Sequence, residues 1–154
     1  YGYGIHFNSS NDHSFYLFAD LNRDSKFEAN SIANCGQANQ ECREELVLRG
    51  DSSITKLCVK GLVSGTPCYA PENTRWLDIM FVRPNPEAII VRESSFESQN
   101  RSDTDGSCTD ACVYKKPYTP TLKSAEIEIT GARGQKKKKI VVERSGQISV
   151  QDAN

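Results

Sequence analysis

Residues Lys138 to Gln151 read "KKIVVERSGQISVQ", two short apolar runs broken by Arg144, Ser145 and Gly146. Ile140, Val141 and Val142 lie before the break, and Ile148 and Val150 after it. Their β-branched side chains suit a pleated surface, and the glycine supplies a turn conformation that a side chain resists. The stretch therefore predicts two hairpin strands. Just upstream, "SAEIEIT" (124–130) sets Ile127 and Ile129 on one face and Glu126, Glu128 and Thr130 on the other, a period of two that belongs to a strand.

The same pattern recurs toward the N-terminus. "YGYGIHF" and "SFYLFAD" predict two strands joined by the polar turn "NSSNDH", with aromatics packing across the hairpin. Further strands are expected at "EELVLR", "SITKLCVK", "WLDIMFV" and "EAIIVRE"; the prolines of "RPNP" suit a turn between the last two. No helical periodicity and no internal repeat stand out. The 154 residues, 37% hydrophobic, suit one mainly β domain of antiparallel sheets with a modest core. A long surface loop is expected at about 94–122, where Ser, Asp, Pro and Gly replace aliphatics.

Six cysteines fall into close pairs: Cys35 with Cys42, Cys58 with Cys68, and Cys108 with Cys112. Their spacings match no zinc knuckle, so disulfides are the preferred reading. Pairing within each couple is the simplest connectivity, although six cysteines allow fifteen pairings. Disulfides place the chain outside the cytoplasm. No run approaches the roughly 18 apolar residues of a membrane helix. The opening, without an initiator methionine or a signal-peptide pattern, is read as the start of a part excised from a longer protein.

Charge is unevenly distributed. Residues 1–114 hold 10 Lys and Arg against 16 Asp and Glu, whereas residues 115–144 hold nine against three. The run Lys136 to Lys139 fits a solvated hairpin end, and it also offers a contact for an anion.

The acidic stretch "FADLNRDSKFE" (18–28) raises a metal question. Asp20, Asn22 and Asp24 at every second position, with the Lys26 carbonyl, have the spacing of the first half of an EF-hand-type calcium loop. The second half departs from it: Ser25 stands where glycine is expected, and Ser31 where the twelfth-position Glu should be. Glu28, or Glu44 or Glu45 brought back after the Cys35 to Cys42 loop, is the candidate to complete the shell. The competing reading is an Asx-type turn, in which the same side chains accept neighbouring backbone amides.

Four stretches, "YGIHF...SFYLFADLNRD", "WLDIMFVRPNPEAIIV", "AEIEIT" and "KIVVERSGQISV", resemble the globular head of a type IV pilin-like protein, nearest to minor pilins and pseudopilins of the GspH/FimT type. The resemblance covers roughly residues 3–93 and 125–150. It implies a β-rich head, α+β in the full-length protein, carried on a hydrophobic N-terminal helix absent from this sequence. That helix would anchor the protein in the inner membrane before assembly into a pilus or type II secretion pseudopilus with other pilin subunits. The head would then face the periplasm or the cell surface. Heads of this kind use acidic loops for calcium. Some T-type minor pilins bind DNA during uptake through basic residues near the C-terminal hairpin, which here are Arg133 and Lys136, Lys137, Lys138 and Lys139. DNA binding, or adhesion to a host or environmental surface, is the alternative to a purely structural role.

Little supports an enzyme. His6 and His13 are the only histidines and are read as ordinary strand or surface residues; no nucleophile elbow, zincin or phosphate-loop motif occurs. No carboxylate is tied by sequence to a partner that would raise its pKa. Trp76 is read as core packing, and the Asn8-Ser-Ser and Asn100-Arg-Ser tripeptides as coincidental glycosylation patterns.

Overall fold

A computed structural model describes residues 2–61, 74–84, 87–94, 122–131 and 136–153. Among the described residues nine strands follow one another: β1 (Gly2–Asn8), β2 (Asn11–Asp20), β3 (Cys42–Val47), β4 (Ser53–Gly61), β5 (Thr74–Val82), β6 (Ala88–Ser94), β7 (Leu122–Thr130), β8 (Lys137–Glu143) and β9 (Ile148–Asp152). Each expected strand is present. The β1–β2 turn is tighter than "NSSNDH", because pairing of Asn8 with Asn11 already closes the ladder around Ser9 and Ser10. The glycine read as a turn maker, Gly146, has φ 86° between β8 and β9.

The strands form two antiparallel sheets, one ordered β3-β2-β1-β5-β6 and the other β4-β7-β8-β9. Alternation decides what lies between them. Phe7, Leu77, Ile79, Ala88 and Ile90 of the first sheet pack on Leu57, Val59, Ala125, Ile127 and Val142 of the second, with Ile129 and Ile140 at the margin. The sheets touch through β2 with β4, β4 with β5, and β6 with β7. Consequently β3 and β9 overhang at opposite ends, and neither contributes to this inter-sheet core.

A second core covers the outer face of the five-stranded sheet. Residues paired across an antiparallel ladder share a face, so Gly4, Phe18 and Met80 lie side by side, as do His6, Tyr16 and Asp78. The segment between β2 and β3 folds over them, with a short 3-10 helix (Ala29–Asn34), Phe27 and the Cys35–Cys42 disulfide. Six residues of 3-10 helix are too short to show a period in sequence. Cys58 is also disulfide-bonded; Cys68, Cys108, Cys112 and the expected loop at 94–122, its first and last residues apart, lie outside the described residues.

Candidate functional site

The acidic stretch leaves β2 at Asp20 and is built from its own amides. Asp20 accepts the N–H of Arg23 through Oδ1 at 2.6 Å and of Ser25 through Oδ2 at 3.2 Å. The Asn22 carboxamide oxygen accepts Asp24 N–H at 3.0 Å, and Asp24 accepts Lys26 N–H at 2.9 Å. Arg23 and Ser25 both have φ 66°, the left-handed conformation that lets each preceding side chain reach an amide two residues on. The geometry is therefore that of consecutive Asx turns. Glu28 closes the loop by accepting the Asn22 amide at 3.0 Å.

Neither Glu44 nor Glu45 returns to this loop. Both are exposed on β3, where Glu45 accepts the Ser14 hydroxyl at 2.6 Å. The carboxylate that does return is Glu41, which sequence reading passed over. It is buried, and its two oxygens accept the N–H groups of Leu21 and Glu28 at 3.2 and 2.9 Å. Burial pushes its pKa above the ordinary value, against the pull of those two amides. Pairing of β3 with the end of β2 carries Glu41 there: Cys42 lies opposite Phe18, and the Glu41 carbonyl accepts Ala19 N–H at 2.9 Å.

Beneath the loop, His6 Nδ1 lies 2.6 Å from Asp78 Oδ1, and Asp78 Oδ2 accepts Phe27 N–H at 3.0 Å. Burial raises the Asp78 pKa; the hydrogen bond and charge of His6, and the Phe27 amide, oppose it. The His6 ring sits 4.4 Å from Phe27, with Tyr16 and Trp76 at 6.1 and 6.3 Å. His6 is thus not a surface histidine, whereas His13 is exposed and bonds the Ser52 carbonyl. Trp76 is half-buried against this outer cluster.

Asp20 and Glu41 bond backbone amides through both carboxylate oxygens, Asn22 through its carboxamide oxygen and Asp24 through Oδ1. No three His, Cys, Asp or Glu side chains converge on a metal position among the described residues.

The lysine run is also engaged. Lys137 meets Glu128 at 3.6 Å, Lys138 pairs with Asp152, and Lys139 meets Glu126 at 3.5 Å, with Lys60 on the same carboxylate. Burial raises the Glu126 pKa, but the two lysines outweigh it and hold the group below its ordinary value. Lys136 is exposed, and Arg133 lies outside the described residues. Glu126, Glu128, Lys56 and Lys139 line a shallow recess of about 320 Å³ with Cys58 at its floor. Compared with protein-family models, curated proteins and solved structures, the chain finds no match.

Proposed function

We propose that this chain is the exposed head of a pilin-like structural subunit, a minor pilin or pseudopilin of the GspH/FimT type, acting through assembly and surface contact without catalysis. One observation carries the reading. The stretches that resemble that family are the ones that build the sheets: "YGIHF", "SFYLFAD", "WLDIMFV" and "EAIIV" supply β1, β2, β5 and β6 of one, and "AEIEIT" and "KIVVERSGQISV" supply β7, β8 and β9 of the other. The Cys35–Cys42 disulfide is in keeping with a head that folds outside the cytoplasm. Neither calcium at Asp20 to Glu28 nor DNA at Lys136 to Lys139 is required by this role.

The test is the coding sequence upstream of Tyr1, together with the N-terminus of the mature protein. A prepilin cleavage site followed by about twenty apolar residues is expected. An upstream sequence with neither would sink the proposal.

A further inference from the structure

Of the four large hydrophobic side chains left most exposed among the described residues, three lie on the overhanging strands: Val47 (68%) on β3, and Ile148 (58%) and Val150 (65%) on β9. Among the described residues, neither strand has a neighbour on its outer side. Apolar side chains on an open edge are what edge strands ordinarily avoid, since such an edge is a template for another strand.

The backbone agrees with the side chains. Leu48 N–H bonds the His13 carbonyl, so by alternation the amides of Glu45 and Val47 point away from β2. On the other edge Ala153 N–H bonds the Lys137 carbonyl, so those of Ile148, Val150 and Asp152 point away from β8. Among the described residues, the outward backbone groups on both edges include those of all three exposed apolar residues, Val47, Ile148 and Val150. An antiparallel register with Val47 opposite Ile148 therefore also sets Glu45 opposite Val150, and all four residues have the parity for backbone bonds.

Charge favours the same match. β3 presents Glu44 and Glu45, whereas β9 is backed by the lysines of β8. In this register Glu44 faces Gln151, whose own partner across the β8–β9 ladder is Lys139. Two β3 edges would instead bring two acidic strands together, and two β9 edges two strands backed by lysines.

We propose that copies of this chain join head to tail, β3 of one adding to β9 of the next as an antiparallel strand. The inference deepens the assembly role proposed above, and its biological use rests on that reading. Because the two edges lie at opposite ends of the sandwich, the contact is heterologous and leaves each pair with an open edge at either end instead of closing a twofold dimer. Each junction is short and weak, so that it holds only where many subunits are held close together.

Two variants of the chain test it: Glu44→Lys with Val47→Lys on β3, and Ile148→Lys with Val150→Lys on β9, lysine being a natural block on edges. At about 1 mM, where weak contacts are populated, the unaltered chain should gain mass in sedimentation velocity. Its amide NMR shifts should move with concentration on β3 and β9. Each variant alone should be monomeric, and the two mixed should form a one-to-one dimer that grows no further, since each retains one intact edge. A monomeric unaltered chain, a variant that still associates alone, or a mixture that stays monomeric overturns the proposal. Circular dichroism checks folding; if a lysine variant unfolds, the β-branched Val47→Thr and Ile148→Thr with Val150→Thr take its place under the same expectations. Association in a protein lacking the upstream helix would remove the filament role and keep the contact. A pilin-type upstream segment on monomeric heads would remove only the contact.

Discussion

His6 and Asp78 face each other across the β1–β5 ladder and are both buried, with Nδ1 and Oδ1 2.6 Å apart beneath the Phe27 ring. Asp78 also holds the Phe27 amide, so one carboxylate joins two strands to the covering segment. Removing one partner of a buried pair strands the other. Asp78→Ala is expected to cost about 3 kcal/mol, and Asp78→Asn, which keeps one acceptor, clearly less. Urea unfolding at neutral pH measures both; a cost for Asp78→Ala under about 1 kcal/mol would remove the pair from any structural role.

Glu41 gives a pH signature. Its carboxyl is raised by burial, so the folded pKa exceeds the unfolded one. A group of this kind contributes stability that is full below the unfolded pKa and is lost as pH rises through the folded value. Glu41→Gln lacks that contribution and should therefore cost more near about pH 4.5 than at about pH 7. Urea midpoints at the two pH values read the difference, and a larger cost at neutral pH would contradict the assignment.

Gly4 makes room for Phe18. A Cβ at Gly4 would sit 2.6 Å from the Phe18 ring and 2.7 Å from the Ile79 carbonyl oxygen, and the backbone oxygen has little freedom to move. Gly4→Ala should destabilise by about 1–3 kcal/mol through overpacking. Gly50→Ala is the control for glycine replacement without a clash: it has nothing within 4 Å and a φ of +62°. Its cost is expected near the roughly 1–2 kcal/mol of a left-handed residue alone. Equal m-values with shifted midpoints would show that both act on stability alone.

The Cys35–Cys42 bridge spans seven residues in sequence. Replacing both cysteines with serine should cost about 2–3 kcal/mol in the chain-entropy description. Because Glu41 adjoins Cys42, hydrogen exchange should rise first at Leu21 and Glu28, whose amides Glu41 accepts. Unchanged protection there would separate the bridge from the loop.

Calcium should leave the loop unmoved. A site occupied at about thirty times its Kd would add about 2 kcal/mol, a rise of several degrees in Tm. With Asp20, Asn22 and Asp24 already bonded to amides, melting with millimolar calcium and with chelator is expected to coincide. A rise of several degrees would show that the ion adds to these bonds.

The sheets were legible because alternation is local: Ile127 and Ile129 declare their face within six residues. The loop was half legible. Asp20, Asn22 and Asp24 bond amides two to five residues away, within the reach of sequence reading. What closes the loop was not. His6 meets a carboxylate 72 residues distant, and Asp78, in the middle of "WLDIMFV", carries no local sign of a partner. Glu44 and Glu45 drew attention by their charge, but strand geometry sends them to the open edge. Glu41, three residues earlier than Glu44, is the one that turns inward.

The place of β1 between β2 and β5 has a kinetic consequence. Its bonds with β2 form across a hairpin, but those with β5 must wait for some seventy residues of intervening chain to be brought round. Loop closure of that length is slow to nucleate, so the β1–β2 hairpin is expected to form early and β5 to dock late. During that interval one side of β1 stands unpaired. Its glycines at positions 2 and 4, poor β-formers, make the waiting edge a weak template for the wrong strand; Phe18 of β2 already fills the space over Gly4, and Met80 fills that over Gly2 only once β5 has arrived.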